Sequence, residues 1–546
     1  MKRSKTPSFV TEIPLEVSPS QEATLLKRLD AARRVYNACL GESLRRGQAL
    51  RQSPAYQAVR AMPVGEKDSP ERKARNKAFK QARQAVAFGE YDLHPYAKQF
   101  GYSYLGDHLD SLTVQKIASR AFEAVNQYIL GKKGKPRFKG RNQFDSVEGK
   151  TNGSGLRWKE GRVIWNIKSG RDLTLEPLIP AKDAVTQHGL NSPVKYVRLV
   201  RRKLNGRNRF YVQLVNEGRP YQKPKNTLGV GSVGLDIGPQ TIAIVAETAA
   251  ELRLFGAELE RRDQEIARLQ RQIARQRRAN NPDNYEPDRW VRSKGGQRWI
   301  RKRGRAKKGR RSWVISNSQR ANEKRLAELY RKQAEHRKSL HGQLVNKILR
   351  LGNQFNLEKL SYKAFQKMFG RSTQFRAPGT FVAMLRRKAE SAGGVTNEFP
   401  TRTTKLSQVC LCGAVEKKPL SQRWHNCSCG VVMQRDLFSA FLALCVEDER
   451  LNAKKAGELW PGLESVLWAA LSDIESVNGS AILPTSVGLQ RQNGSPQKPV
   501  QPNAKSQVVP LPGNGVVRIG TPRLPWRSPP GLCRRGEISV PPESRY

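Results

Sequence analysis

"VGSVGLDIGPQTIAIVAE", Val230–Glu247, reads as two short β-type runs around a Gly238–Pro239 turn, with an acid, Asp236, near the end of the first run. Downstream, "NQFNLEKL" (353–360) reads as a short strand finishing at Glu358, after a helix over about 318–351 that stops at Gly352. Further on, Asp436 precedes "LFSAFLAL", whose Leu437, Ala440, Phe441 and Leu444 recur at helical spacing. Singly, each acid has an ordinary explanation: a turn residue, a surface charge, a helix-start acid favoured by the dipole. As an ordered set they are a strand acid, a second strand acid and a helix acid. Distant carboxylates held in this way can converge on divalent ions that activate water and stabilise a leaving oxygen.

Between the first two acids the chain carries "AELRLFGAELERRDQEIARLQRQIARQRR" (250–278), which the Leu and Ile spacing predicts to be helical throughout. From Arg289 to Arg311 there follow twelve Lys or Arg and no acid, with Trp290, Trp299 and Trp313 interleaved. Charge with stacking rings fits a nucleic-acid groove better than a solvated basic loop, and Arg301, Lys302 and Arg303 are the candidate contacts.

On the N-terminal side, "SPSQEATLLKRLDAARRVYNACL" opens with Ser18 as N-cap, Pro19 at the first helical position and Gln21 at the capping-box position. A second amphipathic segment, "SLTVQKIASRAFEAVNQYIL" (111–130), ends in "GKKGKPRFKGRNQF", which exposes Lys135, Arg137, Phe138 and Lys139 as candidate nucleic-acid contacts. "KYVRLVRRKL" and "RNRFYVQLV" then alternate, and Asn205-Gly206 between them suits a tight hairpin turn. After Trp468 the pattern fades into Pro-, Gly-, Ser- and Gln-rich sequence that cannot make a core and is expected to be disordered.

The 546 residues carry 99 Lys and Arg against 47 Asp and Glu, a formal charge of +52. An excess this large calls for a polyanion, and nucleic acid is the obvious one. No run of roughly 18 apolar residues and no signal-like apolar segment stands in the chain, so a cytoplasmic, nucleoid-associated protein with no membrane partner is expected. Cys410, Cys412, Cys427 and Cys429 cluster while Cys39, Cys445 and Cys533 are scattered, which is metal-like usage in a reducing compartment.

These motifs together resemble the TnpB group of RNA-guided nucleases of insertion sequences and their relatives, the compact type V CRISPR effectors. "VGLDIG", "NLEKL" and "QRDLFSAF" look like the family's three RuvC motifs. "TRTTKLSQVCLCG" is similar to the lead into its zinc ribbon, and "RRVYNACL", "GKPRFKGRNQFDS" and "RNRFYVQLV" to its recognition and wedge segments. The chain departs from the pattern in two places. Both cysteine pairs are Cys-x-Cys rather than Cys-x-x-Cys, with His425 nearby as a candidate replacement ligand or an ordinary loop histidine. Phe438 and Leu442 stand where the family usually has Asn.

The resemblance implies a multidomain α+β protein: a wedge β-barrel with an inserted helical recognition lobe, an RNase H-like (RuvC) α/β nuclease domain with an inserted zinc ribbon, and a disordered tail. The expected limits are a wedge strand at 1–17, a recognition lobe at 18–148, barrel at 149–227, nuclease domain with the first two motifs and a basic helical insertion at 228–399, ribbon at 400–433, third motif and helix at 434–468, and tail at 469–546. It implies an RNA-guided DNA endonuclease, with Asp236, Glu358 and Asp436 as catalytic residues and Mg²⁺ ligands. Cys410, Cys412, Cys427 and Cys429 would hold a structural Zn²⁺. Guide RNA, a double-stranded DNA target and its displaced strand would be the partners of a monomeric ribonucleoprotein. Guided DNA binding with weak or no cleavage, and guide-free transposon-associated DNA processing, are the alternatives.

Overall fold

The computed structural model describes residues 7–478 except 67, 260–261, 294–295, 310 and 420, together with 491–492 and 495–496. Among these, the chain forms two compact units. One takes the residues up to Tyr221 together with Ala274–Lys324; the other takes Gln222–Ile273 and the chain from Arg325 onward. The basic stretch expected to be an insertion in the nuclease domain thus groups with the N-terminal unit.

In the first unit, β1 (Ser8–Glu16) is followed by α1 (Pro19–Gln52), which starts as its sequence predicts: Ser18 and Gln21 cap one another reciprocally and Pro19 occupies the first turn. Helices α2 (Pro54–Ala61), α3 (Pro70–Ala85), α4 (Leu93–Lys98) and α5 (Ser111–Ile129) follow. A seven-stranded antiparallel sheet is then completed by β2 (Ser146–Glu148), β3 (Leu156–Lys159), β4 (Arg162–Trp165), β5 (Leu173–Pro177), β6 (Val194–Leu204) and β7 (Arg207–Glu217). Helix α6 (Ala184–Leu190) lies between β5 and β6. The order is β2-β6-β7-β1-β5-β4-β3. The sheet curls until its edges nearly meet: a side chain on Gly149, just past β2, would strike the Leu156 carbonyl of β3. Asn205 and Gly206 both take positive φ, 50° and 79°, which lets them join β6 to β7 in two residues.

A buried cation ties helices to sheet. Arg28 of α1 donates to the carbonyls of Trp165 and Arg171 and stacks on the Trp165 ring. The Trp165 indole N–H in turn donates to Asp110, which caps α5. Burial lowers the Arg28 pKa to about 10, so the guanidinium keeps its charge at neutral pH.

The second unit is built on a five-stranded sheet, β10-β9-β8-β13-β14. Its first three strands are β8 (Ser232–Ile237), β9 (Thr241–Ala246) and β10 (Ala250–Leu254). The stretch 250–254, expected to be helical, is a strand because its backbone completes the ladder with β9; the helix α7 starts later, at Asp263–Ala279. The basic stretch, which groups with the first unit, contains a hairpin, β11 (Arg289–Arg292) and β12 (Trp299–Lys302), and α8 (Asn317–Leu349) leads back to the sheet. There follow β13 (Gln354–Glu358), α9 (Tyr362–Arg376), α10 (Pro378–Ala392) and β14 (Val395–Phe399). Strands β8 and β9 are antiparallel, whereas β13 runs parallel to both β8 and β14.

Strand alternation then sorts the side chains. Val233, Leu235 and Ile237 of β8 and Phe355 and Leu357 of β13 pack with Leu344, Val345 and Ile348 of α8 and with Phe381 and Leu385 of α10. The alternate residues Gly234 and Asp236, and Asn356 and Glu358, face the other way. On that side lie α11 (Thr401–Thr404), the small hairpin β15 (Trp424–Asn426) and β16 (Val432–Gln434), α12 (Arg435–Leu444) and α13 (Ala453–Asn478). Helix α12 is buried over all ten residues and lies against β8 so closely that a Cβ on Gly234 would sit 2.0 Å from the Ala440 carbonyl oxygen. Only glycine fits there. A disordered tail is expected from 469, but α13 runs to Asn478 and Arg491–Gln492 pairs with Ser495–Pro496; the rest of that expectation lies outside the described residues. No helix among the described residues is long and apolar enough to cross a membrane.

Candidate metal centres

The parallel register sets Leu357 opposite Leu235, so the next residues, Glu358 and Asp236, stand side by side at the carboxyl ends of adjacent strands. Asn356, polar and 3% exposed, is accommodated because Asn397 on β14 donates to its side-chain oxygen. Asp436 enters from α12, where Gln434 caps the helix by accepting from the Leu437 N–H. Thr241, the first residue of β9, donates its hydroxyl to the Asp436 carboxylate at 2.9 Å. The structure therefore brings together three acids from three separate segments.

Their electrostatics are those of crowded carboxylates. Burial, then repulsion from Asp436 and Glu358, raises the Asp236 pKa well above the usual carboxylate range, with Arg435 and Arg423 opposing the rise. Burial alone pushes Glu358 up to about 7. Such a cluster gains from a divalent cation, which removes the repulsion and needs ionised ligands. Sequence reasoning missed Arg423. It is half-buried, burial lowers its pKa, and Asp436 and Asp236 both act on it in the opposite sense. No motif spacing marked it, because it reaches the acids only through the β15–β16 hairpin. Beside Glu358 a cleft of about 510 Å³ is lined by Thr401, Arg402, Lys405, Ser407 and Gln408. An acid facing two cations across a cleft is suited to a phosphodiester.

The four cysteines close more tightly. Their ligand atoms all lie within 4.8 Å of one another, and among the described residues they are the one such group of metal-ligating side chains. The sulfurs pair across the two knuckles, Cys410 with Cys429 at 3.5 Å and Cys412 with Cys427 at 3.6 Å. Tetrahedral Zn–S bonds of about 2.3 Å would set sulfurs about 3.8 Å apart, so the residues fit zinc. The short Cys-x-Cys spacing works because each pair ends in a glycine of positive φ, Gly413 at 82° and Gly430 at 94°. Each knuckle then closes with the same two backbone bonds: Cys410 N–H to Ala414 and Gly413 N–H to Cys410, Cys427 N–H to Val431 and Gly430 N–H to Cys427. A backbone N–H, that of Cys429, is the main cause that pulls the Cys427 thiol down to about 7, toward the thiolate a metal requires.

His425 is no member of this group. It is buried in β15, its Nδ1 is 2.7 Å from the Lys418 ammonium, and its ring stacks on Phe438 at 4.2 Å. Burial holds its pKa at about 4, so the ring is neutral. Phe438 also packs on Phe441 and Trp460, which accounts for an aromatic residue at that position of α12.

The remaining candidates are dispersed. Lys135, Arg137 and Phe138 are exposed and Lys139 half-buried on a loop that Asn37 of α1 pins through both the N–H and carbonyl of Lys139. Arg301 and Lys302 lie on β12, with Arg301 paired to Asp288 at 3.0 Å, and Arg303 follows, exposed.

No family model matches the chain, and no curated protein matches it. Among solved structures it is similar to Cas12f1 in a complex with sgRNA and target DNA, at 11% identity and a TM-score of 0.35, covering 80% of this chain and 98% of that one. It is also similar to Cas12f in a CRISPR-Cas12f ternary complex, at 12% identity and a TM-score of 0.23, with the same coverage. Likeness at these scores carries no argument about fold or chemistry.

Proposed function

We propose that the chain is an RNA-guided DNA endonuclease of the TnpB and compact type V effector kind, cutting at one RNase H-like (RuvC) centre. The observation that supports this reading is that Asp236, Glu358 and Asp436, from two parallel strand ends and a helix start, lie near enough for Glu358 and Asp436 to act electrostatically on Asp236. The strand order, with a three-stranded antiparallel run followed by two parallel strands, supports an RNase H-like reading of the sheet. Magnesium held by the three acids would supply Lewis acidity and an activated water.

The chain's own residues have separable tasks. Thr241 orients the Asp436 carboxylate, and Arg423 brings positive charge to the scissile phosphate. Arg402 and Lys405 take phosphates along the cleft beside Glu358. The four cysteines hold zinc and fix the hairpin that leads into α12. Guide RNA, target DNA and the displaced strand supply the phosphates that an excess of +52 requires. Cas12f1 was solved with sgRNA and target DNA; for this chain those partners are proposed on its charge and its acids. The ribonucleoprotein would be monomeric, cytoplasmic and nucleoid-associated.

The test is to purify the full chain with its bound RNA, sequence that RNA, and rebuild the complex with a guide of known spacer. Magnesium-dependent cutting of a matching duplex beside one flanking motif, lost in Asp236→Asn with guided binding retained, is the expected result. RNA-free protein that cuts DNA would refute it. A second reading, guided binding without cutting, draws on Phe438 and Leu442, which are buried where the family usually has Asn. Protection of the matched site without strand breakage would favour it.

A further inference from the structure

The hairpin β11–β12 leaves two tryptophans in solvent. Its register pairs Trp290 with Arg301 and Arg292 with Trp299, so these four side chains share one face, ring and guanidinium alternating diagonally. Trp290 is 65% exposed and Trp299 61%, and Arg292 lies 5.6 Å from the Trp299 ring centroid. Arg289 and Lys302 flank the same strands on the opposite face. Two bare indoles among cations are an unfavourable surface in water unless something flat and anionic covers them.

The hairpin is held at its root. Asp288 accepts from Arg301 and from the Gly304 N–H. Arg278 stacks on Tyr285 at 4.2 Å, Arg277 stacks on Trp313 at 3.9 Å, and the Tyr285 and Trp313 rings meet edge to face at 5.8 Å. Aromatic residues at the root are thus packed on both sides, while Trp290 and Trp299 stay more than half exposed. That contrast marks the outer pair as a contact surface.

We propose that this face is a stacking prong for single-stranded DNA, with bases on Trp290 and Trp299 and phosphates on Arg292 and its basic neighbours. A duplex hides its base faces in its own stack, so indoles select unpaired strands; diagonal positions across a strand pair lie about 7–8 Å apart, close to two base rises. The twelve cations and no acid from Arg289 to Arg311 supply the complementary charge. The inference rests on the function proposed above, in which pairing of a guide to one DNA strand leaves the other unpaired.

The experiment uses the full chain and a labelled oligothymidylate of about twenty nucleotides, a duplex of equal length, and oligouridylate as the RNA arm. Trp290→Ala with Trp299→Ala should weaken oligothymidylate binding by about thirtyfold or more and remove the tryptophan quenching it causes, while duplex binding stays within about twofold. Trp290→Phe with Trp299→Phe should keep most of the affinity. Unchanged affinity, an equal loss on duplex, or tighter binding of oligouridylate than of oligothymidylate would overturn the proposal. If guided cutting holds while these variants bind normally, the prong falls and the function stands. Loss of single-strand affinity in a chain that never cuts leaves the prong standing and removes the function.

Discussion

The four sulfurs and the three carboxylates are two candidate ligand sets on one sheet unit, only seven residues apart where Cys429 precedes Asp436, and they are made in opposite ways. The sulfur set is local: two Cys-x-Cys-Gly turns fold back on themselves and set their own ligands within 4.8 Å. The carboxylate set is topological: each acid comes from a different element, and only the strand register and the seating of α12 bring them together. A local site keeps its geometry when its surroundings change. A topological one inherits every error in the sheet, and here Asp236 also feels the repulsion of its two neighbours.

That contrast can be broken first at the acids. Asp236→Asn or Glu358→Gln should lower cutting by about 10³-fold or more, the several kcal/mol that metal stabilisation supplies, while circular dichroism and zinc content stay unchanged. A variant that loses zinc as well would show that the two sets are not separable.

The next largest effect is on stability. Without magnesium, Glu358 keeps its proton to about pH 7, whereas an unfolded glutamate loses it near 4.5. The folded chain holds the extra proton across that window, so its stability falls as pH rises through it, by about 3 kcal/mol from this group, with Asp236 acting in the same direction. Denaturant midpoints between pH 5 and 8 should show the fall, and magnesium or Glu358→Gln should flatten it. A flat profile in the magnesium-free protein would mean that burial does not hold the proton on Glu358.

Zinc removal is a smaller perturbation of the same centre, acting at a distance. Strand β16 runs into α12 without a break, the Arg435 N–H bonds the Arg423 carbonyl, and the Arg435 guanidinium bonds the carbonyls of Pro419 and Gln422. Cys427→Ser with Cys429→Ser should release zinc and cost about 10–100-fold in cutting through displacement of Asp436 and Arg423. Full activity in zinc-free protein would make the ribbon a bystander. The smallest effect is expected from Thr241→Val, which removes one hydrogen bond to Asp436 and should slow cutting by about tenfold at unchanged magnesium stoichiometry.

The sequence and the structure agree best where chemistry is short-range. The Ser18–Gln21 cap, the Asn205-Gly206 turn and the strand that ends at Glu358 were all legible because neighbouring residues decide them. Ala250–Leu254 was not: Ala, Glu and Leu favour a helix, but β9 offered an edge to pair with, and tertiary pairing overrides propensity. The hairpin at Arg289–Lys302 was hidden by charge, since its strands show no apolar alternation against a core. The acids were legible as a set, while Arg423 was not, because a lone arginine says nothing about which metal ligands it will face after a ribbon has folded.

Gly234 adds one more consequence. Because β8 and α12 touch main chain to main chain at that residue, the closest approach between the elements bearing Asp236 and Asp436 has no side chain interposed. A methyl group at position 234 would therefore be enough to spread the elements that bear Asp236 and Asp436 while leaving all three acids in place.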